Sequence, residues 1–189
     1  MPRLFVGLEI PRNVRDDLAV IRGGLAQARW IEPDQYHLTL RFIGDVEAGL
    51  AREIDLTLAA VRPPSFTLLL DVLDCLGGDK PHSLVAKAQC SPALTELQTM
   101  IERRLQRLGL AAEPRKFVPH VSLARINGLS ARTMAGYLAA HGLFRQRSFE
   151  VACFVLLSAR SLTGGGPYVV EADYPLQRQP AARWAMAGR

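Results

Sequence analysis

Two tetrapeptides, His37-Leu38-Thr39-Leu40 and His120-Val121-Ser122-Leu123, share the pattern histidine, apolar residue, hydroxyl residue, leucine. Further apolar residues follow each of them, and such alternation is typical of a half-buried β-strand. Side chains at positions i and i+2 of a strand point to the same face, so each histidine lies beside a hydroxyl. The sequence therefore presents one imidazole–hydroxyl pair twice, once in each half of the chain.

The segments around these two strands repeat in order and spacing. Pro11 and Pro92 each take the first turn of a predicted helix, and their separation is close to that of the two histidines. Ser65-Phe66 and Ser148-Phe149 each begin a predicted strand, at the same separation as the two histidines. Element order, spacing and motif agree with one another, which indicates an internal duplication.

The sequence predicts an α+β fold of two lobes related by a pseudo-twofold axis. Antiparallel-rich sheets would line a central groove, and helices would pack outside it. We expect one bilobal domain over residues 1–176, with repeats at roughly 1–83 and 84–176, and a basic tail over 177–189. Predicted strands cover about 3–10, 36–43, 65–76, 84–88, 119–126, 148–162 and 168–176, and predicted helices begin near Pro11, Glu47, Pro92 and Ser130.

The composition favours a cytoplasmic protein with a sizeable core. The chain has 189 residues, of which 49% are hydrophobic. No apolar run approaches the roughly 20 residues of a membrane helix, and the first apolar run is too short for a signal peptide. Cys75, Cys90 and Cys153 are scattered, which fits neither a disulfide framework nor a zinc site. We expect a monomer that does not associate with membranes.

The chain is basic, with a net charge of +5 and 23 lysine and arginine residues, of which all but three are arginine. A basic surplus attracts polyanions, and the arginine fork suits phosphate better than the lysine ammonium does. The arginines are spread along the chain rather than clustered, so a general bias toward arginine explains the surplus equally well. Charge alone leaves nucleic-acid binding open.

Two facing imidazoles, each beside a hydroxyl, suit general acid–base chemistry. Histidine changes charge near neutral pH, so one ring can accept a proton while the other donates one. The phosphorus of a phosphodiester, attacked in line between the rings, is the natural target, and Thr39 and Ser122 can donate hydrogen bonds to its non-bridging oxygens. Neither motif adds a carboxylate at metal-ligand spacing, so no metal is expected. His37 and His120 are candidate catalytic residues, and their near symmetry leaves open which is the acid.

The two motifs and their surroundings resemble the two-histidine (2H) phosphoesterase superfamily, and more closely the bacterial RNA 2′,3′-cyclic phosphodiesterases, also called 2′-5′ RNA ligases. The resemblance covers the chain to about residue 176. It rests on Arg3-Leu-Phe-Val-Gly-Leu8, Tyr36-His-Leu-Thr-Leu-Arg-Phe-Ile-Gly-Asp45, Phe117-Val-Pro-His-Val-Ser-Leu-Ala-Arg125 and Gly166-Pro-Tyr168. One departure is Ser122 in place of the commoner threonine, which keeps the hydroxyl.

The resemblance implies hydrolysis of a 2′,3′-cyclic phosphate at an RNA end to a 2′-phosphate, without a cofactor. It also implies a reversible, ATP-independent 2′-5′ joining of RNA ends. RNA with 2′,3′-cyclic phosphate ends, or a related oligonucleotide, is therefore the expected partner.

The resemblance also implies roles for individual residues. It makes His37 the proton donor and His120 the proton acceptor, and it makes Arg125 a phosphate ligand beside the two hydroxyls. By strict alternation Arg125 faces away from His120, so a strand bulge is needed to turn it toward the phosphate. Arg41 shares the predicted face of His37 and Thr39, and we interpret it as a candidate substrate-binding residue for a neighbouring phosphate.

Two other functions stay open at this stage. One is the same chemistry on small cyclic or 2′-5′-linked nucleotides, and the other is a non-catalytic RNA-binding module that keeps the groove. A binding module has no need of paired titratable groups, which favours an enzyme. His82 and His141 are interpreted as structural or surface residues, the second at a helix end where a cationic ring suits the dipole.

Overall fold

The computed structural model describes residues 3–141, 144, 146–159 and 167–178. Over these residues the chain forms four α-helices and nine strands, which confirms the predicted α+β class. The helices are α1 (Arg12–Ala19), α2 (Ala48–Ala59), α3 (Pro92–Arg107) and α4 (Ala131–Ala140), with a 3₁₀ turn at Pro33–Gln35. The strands are β1 (Arg3–Glu9), β2 (Ala28–Trp30), β3 (His37–Asp45), β4 (Phe66–Leu76), β5 (Ser83–Ala88), β6 (His120–Ile126), β7 (Arg147–Val151), β8 (Cys153–Ala159) and β9 (Tyr168–Pro175).

All pairs between these strands are antiparallel, in the order β7-β4-β5-β6-β3-β1-β8-β9, with β2 against β6. The sheet has two halves that meet where β3 and β6 share one residue pair, Leu38 with Val121, here called the central pair. We name the halves after their inner strands: the β1 lobe contains β3, β1, β8 and β9, and the β5 lobe contains β6, β5, β4 and β7. A connection through one pair lets the two half-sheets diverge and leave a groove between them.

The core lies on the sheet face away from the groove. The central pair is fully buried there, together with apolar residues of α3 such as Leu97 and Ile101. β4 begins with alternate buried side chains, as the period of two predicts, whereas β1 and β8 are buried on both faces. On their second face Phe5, Val155 and Leu157 form a small apolar cluster. In the described part of the chain, none of the helices has the length and apolarity needed to span a membrane.

The lobes do not coincide with two successive parts of the chain. β8, from the C-terminal part, pairs with β1, whereas β4 and β7 pair with each other on the far side of the sheet. The expected boundary between residues 83 and 84 falls inside β5, which pairs with β4. The lobes thus exchange strands, and the internal duplication stays a prediction.

Two helices begin at the predicted serine caps. The Oγ atom of Ser91 accepts a hydrogen bond from the backbone N of Leu94 at 3.3 Å. Likewise, Ser130 Oγ accepts one from the backbone N of Thr133 at 3.1 Å. Each serine satisfies an amide that has no partner within its own helix, which is the reason serine favours this position.

Three elements differ from the sequence prediction. α1 ends at Ala19, earlier than predicted, and Gly23 and Gly24 in the segment that follows adopt left-handed backbone with φ of 118° and 73°. Up to residue 159, the strand predicted over 148–162 is two strands, because the chain passes at Ala152 from the edge of β4 to the edge of β1. Residues 160–162 lie outside the described residues. The short strand β2 is absent from the prediction. The glycine-rich turn at 164–166 and most of the tail, 179–189, lie outside the described residues.

Gly7 allows β1 to approach β3 closely behind the first motif. A Cβ atom at this position would lie 2.9 Å from the carbonyl oxygen of Leu38 and 3.2 Å from Cδ1 of Leu157. The first of these contacts is with backbone, which cannot move without shifting β3.

We therefore expect Gly7→Ala to lower the free energy of unfolding by about 1–3 kcal/mol through overpacking. The matched control is Gly136→Ala within α4, where a Cβ meets nothing within 4 Å. That change should stabilise by about 0.5–1 kcal/mol through helix propensity. Denaturant titration of both variants measures the two effects, and equal stability of the two would contradict the close approach.

Candidate active site

The central pair sets the arrangement of the four motif side chains. In an antiparallel pair, the residues that flank it oppose one another, so His37 lies across from Ser122, and Thr39 across from His120. The two histidines therefore occupy one diagonal of a four-cornered arrangement, and the two hydroxyls occupy the other. Diagonal neighbours have Cβ atoms about 7–8 Å apart, which leaves room for one phosphate group between the rings.

Both imidazoles are held by the same kind of hydrogen bond. His37 Nδ1 lies 2.9 Å from the backbone carbonyl oxygen of Gln35, and His120 Nδ1 lies 2.7 Å from that of Val118. A carbonyl oxygen can only accept, so Nδ1 carries the hydrogen in each ring. Nε2 is left to accept a proton, or to donate one when the ring is protonated.

His37 has a more enclosed environment than His120. Its ring contacts Phe5 at a centroid distance of 4.9 Å and Tyr168 at 4.7 Å. The backbone N of Tyr168 donates to Gln35 Oε1 at 2.5 Å, so Gln35 anchors both the imidazole and one of its aromatic neighbours. Burial lowers the pKa of His37 from its ordinary value; the bond to Gln35 opposes this, and the charge of His120 adds to it.

The four motif side chains line one groove of about 680 Å³. Both histidines and both hydroxyls are half-buried, so a ligand can reach them. The other lining residues come from both lobes: Arg3, Phe5, Ile31, Phe42, Leu76, His82, Ser83, Arg115, Arg125, Ile126, Ala159 and Tyr168.

A bulge in β6 turns Arg125 into the groove. The pairing with β5 passes from Val85–Ser122 to Leu84–Ala124, so Leu123 is an extra residue. Leu123 and Ala124 both point into the core and are fully buried. The alternation is thereby shifted by one residue, and the exposed Arg125 returns to the face of the histidines.

A bulge at the equivalent place in β3 has the opposite effect on Arg41. The pairing with β1 passes from Gly7–Thr39 to Val6–Arg41, so Leu40 is the extra residue. Leu40 and Arg41 are both buried, and Phe42, 40% exposed, lines the groove in their place. The interpretation of Arg41 as a substrate-binding residue on the face of His37 is therefore wrong.

Arg41 instead connects the loop that precedes β6 to the core. Its Nε atom lies 2.5 Å from Oε2 of Glu102 in α3, and its Nη1 atom lies 3.5 Å from Oε2 of Glu113. It also donates to the backbone carbonyls of Phe42 and Ala111. A buried guanidinium with this many acceptors is compensated for its lost hydration.

Sequence reasoning misses several groove residues. It assigns no site role to Phe42, Arg115, Tyr168 or Arg3, and it interprets His82 as a structural or surface residue, although His82 lines the groove. His141, by contrast, lies at the end of α4, where its Nδ1 atom is 2.9 Å from the carbonyl oxygen of Tyr137. Within the described ranges, no group of three or more histidine, cysteine, aspartate or glutamate side chains is placed to hold a metal ion.

The chain is similar to known proteins in sequence and in fold. The model of the family described as LigT-like phosphoesterase matches residues 8–86. An RNA 2′,3′-cyclic phosphodiesterase of Aeropyrum pernix is 34% identical over 157 residues, which cover 79% of this chain and 89% of that protein. A protein of the same name from Escherichia coli K12 is 30% identical over 129 residues, covering 65% of this chain and 71% of the relative.

The fold is also found in a solved structure of E. coli LigT complexed with 3′-AMP. The TM-score is 0.73 at 22% identity, over 93% of this chain and 99% of that chain. Fold, groove and relatives together define a 2H phosphoesterase. The chain belongs to the LigT-like phosphoesterase family, with clear sequence similarity to members named RNA 2′,3′-cyclic phosphodiesterase.

The lowered pKa of His37 makes folding sensitive to pH. Between the folded pKa and the ordinary value near 6.5, the unfolded chain binds more protons at this position, so the free energy of unfolding falls as the pH drops. We expect this fall to begin as the pH drops through about 6.5 and to be smaller in His37→Asn. Denaturant titrations at several pH values measure it; parallel curves for the two proteins would contradict the lowered pKa of His37.

Proposed function

We propose that this protein hydrolyses 2′,3′-cyclic phosphate ends of RNA to 2′-phosphates by acid–base catalysis with His37 and His120. The observation that carries the proposal is the diagonal placement of the two rings across one groove, with the hydroxyls of Thr39 and Ser122 on the other diagonal. The names of the relatives support a cyclic phosphodiester of RNA as substrate.

The diagonal matches the geometry of an in-line displacement. The attacking and leaving oxygens lie on opposite sides of phosphorus, so a proton acceptor and a proton donor are needed on opposite sides of the phosphate. Both Nε2 atoms are available because Nδ1 is bound to a carbonyl in each ring. The hydroxyls and Arg125 can donate to the non-bridging oxygens, where charge gathers in the transition state.

The proposed step is balanced with water alone. His120 takes a proton from a water molecule, whose oxygen forms a bond to phosphorus. The bond between phosphorus and the ribose O3′ breaks, and His37 gives its proton to O3′. The products are a 2′-phosphate and a 3′-hydroxyl. Proton transfer back from His120 to His37 through solvent restores the starting state.

The same arrangement accounts for 2′-5′ joining. If the 5′-hydroxyl of a second RNA strand replaces water, the product is a 2′-5′ phosphodiester, and no ATP is consumed because the strained cyclic phosphate is itself the activated group. The reverse step uses the same two protons in the opposite order. We propose this ligation as a second outcome of one site.

The environment of His37 is compatible with the donor role once substrate is bound. Its lowered pKa favours the neutral ring in the free protein. A phosphodiester brings a negative charge next to Nε2, and a nearby opposite charge favours the protonated form. The protonated ring would then donate this proton to the leaving oxygen.

The proposal includes no cofactor or metal and takes RNA ends as the partner. We also propose a cytoplasmic monomer. The support is the one-chain groove, to which both lobes contribute, and the three free cysteines, Cys75, Cys90 and Cys153, which suit a reducing compartment.

The direct test is incubation with an oligoribonucleotide ending in a 2′,3′-cyclic phosphate, in EDTA and without ATP, followed by mapping of the product phosphate. The expected product is a 2′-phosphate. No hydrolysis would contradict the proposal and favour a non-catalytic RNA-binding module. Hydrolysis confined to mononucleotides would instead identify a nucleotide phosphodiesterase with the same site.

Removing either catalytic histidine should lower kcat by at least about 10²–10⁴-fold, because that is what proton transfer contributes. The double variant His37→Ala/His120→Ala should lose little more, since the pair acts as a unit. Thr39→Ala and Ser122→Ala should cost roughly 10- to 1,000-fold through lost hydrogen bonds to the transition state. Steady-state kinetics measures these losses, with His141→Ala as a histidine control outside the groove.

The roles of the two histidines can be separated with a better leaving group. A 4-nitrophenyl phosphodiester releases a phenolate that needs no proton, so loss of the proton donor should matter little. Relative to the wild type, His37→Ala should be at least about tenfold more active on this ester than on the RNA substrate, whereas His120→Ala should be impaired on both substrates. Recovery by His120→Ala alone would exchange the two roles.

A further inference from the structure

The groove has two distinct ends because β3 and β6 run antiparallel. Each strand leaves the central pair in its own direction, so the residues that follow the two motifs diverge. One end carries Arg125, paired in register with Ser83 of β5. The other end carries Phe42, which follows the bulge in β3. The scissile phosphate lies between these ends, at the histidines.

Arg115 lies at the Phe42 end and also lines the groove. Its partner Glu113 contacts the guanidinium of Arg41, whose next residue is Phe42, and this fixes the end at which Arg115 is found. The side chain of Arg115 is 76% exposed, compared with 30% for Arg3, which is paired with Asp45 and also lines the groove. Arg115 is therefore the more accessible cation at this end.

Glu113 holds one edge of the Arg115 guanidinium. Nε of Arg115 donates to Oε1 at 2.8 Å, and Nη2 donates to Oε2 at 3.4 Å. Among the residues that the structure describes, no hydrogen bond is made by the opposite edge, which carries Nη1. A guanidinium has five N–H donors in a fixed fork, so one edge can bind a carboxylate while the other binds a phosphate.

Glu113 is itself fixed from the core. Its backbone N donates to Glu102 Oε1 at 3.1 Å, and its carboxylate accepts from Arg41 at 3.5 Å. Arg41 is 8% exposed and is paired with Glu102 of α3. A series of ion pairs thus connects Glu102 of α3 to Arg41, Arg41 to Glu113, and Glu113 to Arg115. These contacts restrict the orientations that the Arg115 side chain can adopt.

We propose that Arg115 binds a phosphodiester next to the scissile one, so that the protein prefers an oligonucleotide to a mononucleotide. Glu113 and Arg41 act as positioning residues for this contact. The inference rests on the proposed function for its substrate, and it deepens that function by assigning a second phosphate site at the Phe42 end. A mononucleoside 2′,3′-cyclic phosphate has no second phosphate and gains nothing from Arg115.

The test compares two substrates, a mononucleoside 2′,3′-cyclic phosphate and an oligoribonucleotide with the same terminal group. The readout is the ratio of their kcat/KM values, which we expect Arg115→Ala to lower about tenfold at low salt through a higher KM for the oligonucleotide. The log–log salt slope for the oligonucleotide should also flatten by about 0.7, the value for one phosphate contact on a single strand.

Lys116→Ala is the matched control, because Lys116 is adjacent, exposed and equally charged but does not line the groove. It should leave the ratio at the wild-type value. Glu113→Gln keeps the charge of Arg115 and weakens its orientation, so it should lower the ratio by less than Arg115→Ala does. Conservative replacement by Arg115→Lys should restore the salt slope but only part of the ratio, since lysine lacks the fork.

Binding of the 2′-phosphate-ended product oligonucleotide, followed by fluorescence anisotropy, tests the same contact without catalysis. If the wild type hydrolyses neither substrate, the proposed function fails while this binding measurement still decides on Arg115. Equal losses on both substrates would place Arg115 at the scissile phosphate and overturn the inference. An unchanged ratio and salt slope, or an equal effect of Lys116→Ala, would overturn it as well.

Discussion

The site depends on one antiparallel contact, between Leu38 and Val121. This pair joins two half-sheets that otherwise diverge, and it fixes which side chains oppose one another across the groove. Because the side-chain period of a strand is two, a slip of either strand by one residue would turn its histidine into the core and its central apolar residue, Leu38 or Val121, outward. Complete burial of Leu38 and Val121 resists such a slip, since a polar replacement on that face has no partner there.

Because of the bulges after the two motifs, β3 and β6 place different kinds of side chain in the groove. Each adds one residue and reverses the alternation that the motif establishes. In β6 the residue that the bulge turns from the groove face into the core is Ala124, which fits there, and Arg125 reaches the groove. In β3 the residue that the bulge turns into the core is Arg41, whose charge must be compensated there, and Phe42 reaches the groove. Two strands of similar backbone therefore carry an asymmetric set of side chains, with a cation at one end and an aromatic ring at the other.

Most strands, the helix caps and the two motifs could be predicted from the sequence, because these features depend on local periodicity and on residue chemistry. Strict alternation failed at Arg41, since a bulge depends on pairing with β1, which the chain does not show locally. The predicted duplication would have corrected the interpretation of Arg41. If the bulge that turns Arg125 toward the groove is placed at the equivalent position after the first motif, Arg41 turns into the core. No site role was predicted for Tyr168, because its approach to His37 depends on β9, a strand that is remote in sequence.

The exchange of strands between lobes has a consequence for the order of folding. Both motifs have been synthesised by residue 123, but the β1 lobe lacks β8 and β9 until residues 153–175 emerge. Until then β1 has an unpaired edge, and the His37 ring lacks Tyr168. Such long-range pairing slows folding and leaves the edge open to wrong partners. The nascent chain therefore carries both histidines well before it can assemble the pocket around them, and β9 completes the site.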